Sequence, residues 1–245
     1  MKNISFPLVI LQLLTISCTP DTIDNTESIA SKVSMKKLEK STRLVQNPIP
    51  ENPANMYDFA GKLHNDILDV YLAGNHQHTT IEQINQQIEA IATANTNFIL
   101  LSTGINLSFN LDIIQEIVSN PELELAQAIT NSTMTNAAKE SLSSFMNDVI
   151  LWENNSYEEI YQSVISYESS VIANSGFSNE DKRIILTTSS LVRYSIYYNL
   201  TRKDKDWPPS KGHLVGGLSG AIDNSSTAIR RSLVTGIMIY TQATH

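Results

Sequence analysis

The stretch from Asn55 to Leu72 has the apolar pattern of a helix around which the other elements can pack. At about 100° per residue, its apolar side chains fall on one broad face, and only a narrow wedge stays charged. The face contains Met56, Phe59, Ala60, Leu63, Ile67, Val70 and Tyr71, extended by Tyr57, Leu68 and Leu72. The pattern therefore predicts a central helix that is buried on most of its circumference, with His64 inside the apolar arc.

Helical patterns continue along the chain. Ile81, Ile84, Ile88 and Ile91 form a narrow apolar stripe after Thr79 and Glu82, which have the spacing of a capping box. Other helices are predicted over residues 111–129 with an interruption at Pro121, 135–152, 156–176 and 178–198. The apolar run 98–101 fits either a helix or a strand.

The C-terminal part has a different composition. A charged connector, residues 201–211, precedes an apolar, helix-like segment that runs to about Tyr240 and contains Gly212, Gly216 and Gly220. Glycines four residues apart let helix backbones approach closely, either inside a bundle or between helices that span a membrane. Asp223, Arg230 and Arg231 oppose insertion, since each costs roughly 3 kcal/mol at the centre of a bilayer. We expect a C-terminal helix that packs tightly on the domain; a membrane-active, bacteriocin-like segment is the alternative.

The N-terminus has the pattern of an export signal. Lys2 precedes a mostly apolar stretch, residues 4–16, which is shorter than the roughly 20 residues that a spanning helix needs. The sequence Leu14-Thr15-Ile16-Ser17-Cys18 resembles a bacterial lipobox, although leucine stands one place early. The resemblance implies cleavage before Cys18 and a lipid on its thiol; an ordinary secretory signal with a free cysteine is the alternative. Thr19 follows Cys18 in place of an inner-membrane retention Asp, which favours the outer membrane.

These features divide the chain into four parts. Residues 1–17 are predicted to be the signal peptide, and residues 18–52 a disordered tether that is polar and rich in proline near its end. A helical domain, 53–200, and the connector with the glycine-rich helix, 201–245, follow. Overall we expect an all-α fold: an irregular bundle of about six or seven helices.

Composition and charge narrow the range of partners. The 245 residues include only 9 Gly and 8 Pro, which suits a helical fold. The net charge is −8, and the 17 Lys and Arg residues form no stripe, so nucleic acid is not an expected partner. The expected partners are a membrane, reached through the lipid on Cys18, and a protein of the cell envelope. No cofactor is predicted.

Histidines supply the candidate chemistry. His64, Asp66, Asp69, His76 and His78 are all ligand types for zinc or another transition metal, but their spacing matches no metal motif. His64 and Asp66 diverge by about 200° on a helix and cannot easily share an ion. His76 and His78 can converge in a loop and remain the weak metal candidate; two solvated loop histidines are the other interpretation.

The segment Tyr57-Asp58-Phe59-Ala60-Gly61-Lys62-Leu63-His64-Asn65, preceded by Asn52-Pro53, resembles a motif of uncharacterised secreted and lipid-anchored bacterial proteins. The likeness implies an exported protein but transfers no catalytic role. It singles out Gly61, His64 and Asn65 as candidate binding residues. Gly61 would let a neighbouring helix approach, and His64 with Asn65 could organise a hydrogen-bond network or a ligand.

The sequence thus predicts a lipid-anchored envelope protein that acts as a non-catalytic binding, interaction or structural module. No catalytic residue is assigned. Two alternatives remain open: a membrane-active protein that uses the glycine-rich segment, and a metal- or ligand-dependent enzyme that uses His64.

Overall fold

The computed structural model describes residues 49–74, 76–105, 109–152, 155–201 and 210–244, all of which lie in one unit, Val45–His245. The predicted signal peptide, Cys18, most of the tether and most of the charged connector lie outside these residues. Ten helices and no strand occur in the described part, so the all-α prediction is confirmed. The helices are α1 Phe59–Ala73, α2 Ile81–Ala94, α3 Thr96–Ser102, α4 Leu111–Ser119, α5 Pro121–Asn131, α6 Asn136–Leu151, α7 Tyr157–Ala173, α8 Asn179–Thr201, α9 Lys211–Asp223 and α10 Ser225–Thr244.

The prediction of six or seven helices is wrong because polar caps divide the chain more often than the apolar pattern indicates. Asn95 caps α3, so the undecided run 98–101 is helical. Asn120 ends α4 and caps α5, with Pro121 in the first turn, where its missing N–H costs nothing. Asn224 accepts a hydrogen bond from Thr227 N at 2.8 Å and splits the predicted C-terminal helix into α9 and α10. The cap of α2 is Thr80, one residue later than predicted.

Helix α1 is not the central helix. Only one face is buried, and it includes Leu63, His64 and Ile67, whereas Met56 is 80% exposed and Val70 is 55% exposed. The helices buried on most of their surface are α8, over residues 184–195, α9, over residues 212–218, and α10, over residues 225–237. The core therefore lies around α8 and the C-terminal hairpin, and α1 packs on it.

Helices α9 and α10 form a tight antiparallel hairpin through the predicted glycine repeat. A Cβ atom on Gly220 would lie 2.5 Å from the Ala228 Cα atom, and one on Gly216 would lie 2.8 Å from the Arg231 carbonyl oxygen. Glycine is thus required where the backbones meet. Within the described part of the chain, no helix is both long enough and apolar enough to cross a membrane.

Candidate functional site

Buried polar side chains concentrate where residues 52–65 meet α8, and we call this contact the 52–65 seam. At its centre lies Glu168, a fully buried carboxylate of α7. It accepts hydrogen bonds from Asn52 Nδ2 at 2.5 Å, Asn55 Nδ2 at 3.0 Å and Ser189 Oγ at 2.8 Å. Arg193 Nη2 lies 3.2 Å from Glu168 Oε1. Because a buried charge is tolerated only when it is paired and hydrogen-bonded, this arrangement is what keeps Glu168 in the core.

Asp58 forms the second half of the seam. Its carboxylate pairs with Arg193 Nη2 and accepts hydrogen bonds from the Tyr194 hydroxyl at 3.1 Å and from Asn52 N at 3.2 Å. Burial opposes the charge on Arg193, but Glu168 and Asp58 outweigh it and raise the pKa of the guanidinium. The Arg193 side chain therefore joins the segment that precedes α1 to both α7 and α8.

Gly61 and Asn65 continue the seam along α1. A Cβ atom on Gly61 would lie 2.6 Å from the Ser190 carbonyl oxygen and 2.5 Å from Tyr194 Cδ2, so the close helix approach predicted from the sequence is present. Gly61 N donates to Ser190 Oγ at 3.1 Å, and Asn65 Nδ2 donates to the Tyr194 carbonyl oxygen at 2.9 Å. These motif residues thus fasten α1 to α8.

His64 lies in a buried pair with His213 of α9. Their Nε2 atoms are 2.9 Å apart, which requires one ring to donate and the other to accept, and His64 Nδ1 lies 3.0 Å from Asn65 Oδ1. Burial lowers the pKa of His64 to about 4, and burial together with His64 lowers that of His213 well below its usual value. Both imidazoles are therefore neutral at pH 7 and connect α1 to the C-terminal hairpin. A ligand could reach His64 only if these helices separated.

His76 and His78 lie in a different and accessible place. A cleft of about 520 Å³, which we call the histidine cleft, lies between the C-terminal end of α1, residues 76–79 and the C-terminal end of α10. Its described lining residues are Tyr71, Leu72, Gly74, His76, Gln77, His78, Thr79, Ile237, Tyr240, Thr241 and Thr244. None of these is an Asp, Glu, Lys or Arg, so the lining offers aromatic rings, hydroxyl groups and an amide to a ligand.

Tyr71 holds the two imidazoles of this cleft in place. The rings of His76 and His78 are stacked, with centroids 5.0 Å apart and an angle of 12° between their planes. The Tyr71 hydroxyl lies 3.2 Å from His78 Nδ1, and burial raises the pKa of this phenol to about 12. Within the described residues, no group of three or more His, Cys, Asp or Glu side chains is placed to hold a metal ion.

Sequence reasoning missed the partners of the motif residues: Glu168, Arg193, Tyr194 and His213. One signal was available for Glu168, which continues the apolar stripe of Ile160 and Val164 at the same spacing of four. A carboxylate in such a stripe indicates a buried ion pair, but its partner cannot be read from the stripe.

Comparisons of the chain with family models, curated proteins and solved structures gave no match.

Proposed function

We propose that this protein is a non-catalytic binding module of the bacterial cell envelope, anchored by a lipid on Cys18, and that it holds a small solute in the histidine cleft. The anchor rests on the lipobox-like sequence that ends at Cys18. The tether that follows would let the helical domain reach solutes at a distance from the membrane.

The observation that carries the binding role is the histidine cleft. Its volume of about 520 Å³ lies within the range of small-molecule sites, which is roughly 300–1,000 Å³. Its lining combines apolar side chains such as Leu72 and Ile237 with a few polar groups that can fix the orientation of a ligand. In the 52–65 seam, in contrast, Glu168 and Asp58 are already paired with Arg193, although Arg193 Nε and Nη1 have no hydrogen-bond partner.

The geometry gives less support to the two alternatives. A membrane-active role would have to separate α9 from α10, whose glycines are in backbone contact. It would also expose Arg231, which donates hydrogen bonds to Ser219 and Asp223 inside the hairpin. A catalytic role for His64 would require a substrate to enter between α1 and α9, where the imidazole has no exposed surface.

The anchor is tested by cell fractionation of the wild-type protein and the Cys18→Ser variant. We expect the wild-type protein in the membrane fraction, with a lipid mass increment on its N-terminal peptide, and the variant in the soluble fraction. An unmodified Cys18 in the wild-type protein would contradict the anchor.

The binding role is tested with a side chain that fills the cleft. Thr241→Trp places an indole in the cleft, and Thr93→Trp is the matched control. Thr93 and Thr241 each occupy a helix surface and donate to the carbonyl oxygen four residues earlier, at 2.7 Å and 2.9 Å. Protein purified from native cells is denatured, and the released small molecules are identified by mass spectrometry.

We expect a solute from the wild-type protein and from Thr93→Trp in near-stoichiometric amount, and at least about tenfold less from Thr241→Trp, since a tenfold loss needs only about 1.4 kcal/mol. Equal release from the two variants would place the solute elsewhere. No released solute from the wild-type protein would contradict the binding role.

A further inference from the structure

His76 and His78 place two imidazole rings next to each other in the histidine cleft, and imidazole is a preferred ligand of late first-row metals. The two residues are separated by one position in a segment without regular structure, and their rings lie on the same side of the chain, stacked at 5.0 Å. Because a metal ion lies in the plane of a ligating imidazole, the two rings must rotate out of this nearly parallel stack to bring one nitrogen of each onto the same ion. The cleft leaves space in front of them for water or a solute to complete the coordination.

The surroundings of each ring determine which nitrogen can bind. His78 Nδ1 faces the Tyr71 hydroxyl at 3.2 Å, which leaves Nε2 for an ion. Ligating histidines usually have such a partner on the second nitrogen, because it fixes the tautomer and the orientation of the ring. A Cβ atom added to Gly74 would lie 2.1 Å from His76 Nε2, so this nitrogen faces the Gly74 backbone. Nδ1 is therefore the nitrogen of His76 that remains for coordination.

The composition of the lining also suits a late first-row cation. No described lining residue of the cleft carries a carboxylate, and imidazole nitrogen prefers copper, nickel and zinc to magnesium or calcium.

We infer that His76 and His78 form a two-nitrogen site for a late first-row divalent cation, with Tyr71 as a positioning residue. The inference rests on the proposed function, because it places the ion in the same cleft and makes it part of what the cleft binds. Cu²⁺ is the ion expected to bind most tightly, followed by Ni²⁺ and Zn²⁺.

The test is titration of the full chain carrying Cys18→Ser, which removes the thiol, with Cu²⁺ as the probe and Mg²⁺ as the control ion. Calorimetry gives the stoichiometry and affinity, and electron paramagnetic resonance gives the number of nitrogen ligands. We expect one Cu²⁺ with two nitrogen ligands and no Mg²⁺. His76→Gln and His78→Gln should each weaken Cu²⁺ binding at least about tenfold and leave one nitrogen ligand or none.

Two further variants test the assigned roles. Tyr71→Phe should keep the stoichiometry and lose roughly 10- to 100-fold in affinity, which is the usual effect of removing a partner of a ligating histidine. Gly74→Ala should fold, since its backbone angles suit alanine and only the end of the His76 ring must move, but it should change the Cu²⁺ resonance signal.

Absence of Cu²⁺ binding, or Cu²⁺ binding that survives both His76→Gln and His78→Gln, would overturn the inference. These outcomes are separate from the failure of the proposed function, which is measured by the small molecule that the Thr241→Trp variant loses.

Discussion

Glu168 is the residue whose replacement tests the 52–65 seam most directly. Glu168→Gln keeps the size and shape of the side chain but removes the charge and turns one accepting oxygen into a donating NH₂ group. The NH₂ group would then face donors: Asn52 Nδ2 on one side, or Asn55 Nδ2, Ser189 Oγ and Arg193 Nη2 on the other. In the first orientation Asn52 Nδ2 loses its acceptor; in the second, Asn55 Nδ2 and Ser189 Oγ keep the Leu186 carbonyl oxygen and Arg193 keeps Asp58. Either orientation removes the ion pair between Glu168 and Arg193.

The expected loss follows from these contacts. Breaking a buried ion pair by removing one partner costs roughly 3–5 kcal/mol, but Arg193 keeps Asp58, so the lower end of this range applies. We therefore expect the free energy of unfolding to fall by about 3 kcal/mol. For a domain of this size, that corresponds to a decrease in Tm of roughly 6–12 °C. Asn52 and Asn55 should also hold residues 52–58 less firmly on α7 and α8, which raises the rate of proteolytic cleavage there.

Urea unfolding followed by far-ultraviolet circular dichroism measures the change, and Glu158→Gln is the matched control. Glu158 lies on the same helix, α7, but its side chain faces solvent, so the same substitution should change the free energy of unfolding by less than about 0.5 kcal/mol. If Glu168→Gln and Glu158→Gln were equally stable, the seam would contribute no measurable stability and the reasoning would be wrong.

Two further predictions concern α1. Gly61→Ala should lower the free energy of unfolding by about 2 kcal/mol, because the clash of the new methyl group with Ser190 and Tyr194 outweighs the better helix propensity of alanine. The control is Gly176→Ala at an exposed position, which should change the free energy of unfolding by less than about 0.5 kcal/mol in the same urea assay. A neutral Gly61→Ala would contradict the close approach. The pKa of His64 falls on folding from 6.5 to about 4, so the folded state binds fewer protons, and the stability that this histidine contributes above pH 6.5 is lost as the pH falls to about 4. At about 1.4 kcal/mol per pKa unit, His64 alone should lose about 3 kcal/mol between pH 7 and pH 4, and His213, whose pKa burial also lowers, adds to this loss. Unfolding curves should therefore show a loss of at least about 3 kcal/mol that is absent from His64→Gln/His213→Gln; equal losses in both proteins would refute the assignment.

Local signals in the sequence were enough to locate most helices. Ser156 and Glu159 form the complete capping box that starts α7, and Asn110 caps α4, because a cap needs only residues two or three positions apart. The isoleucine stripe of α2 is likewise buried at Ile84 and Ile88. These features depend on spacing within one helix, which the sequence records directly.

The apolar pattern misjudged burial where polar residues satisfy one another. Helix α8 contains the polar run 187–190, yet every residue of it is buried, since Thr188 donates to the Ile184 carbonyl oxygen and Ser189 to Glu168. In the opposite direction, Met56 and Val70 belong to the predicted apolar face but are exposed, and Met56 lies before the first residue of α1.

By itself, the sequence determined that the protein is helical, where most helices begin, and which motif residues meet another element. Tertiary structure alone decided what they meet: His64 finds His213, 149 positions away, and Asp58 finds Arg193, 135 positions away. The physical reason is that caps and stripes act within one helical turn or one helix face, whereas the pairing of buried polar groups depends on which helices share the core. The sequence placed His64 in an apolar arc and His76 and His78 in a loop, but only the fold showed that His64 pairs with His213 and that the other two line a cleft.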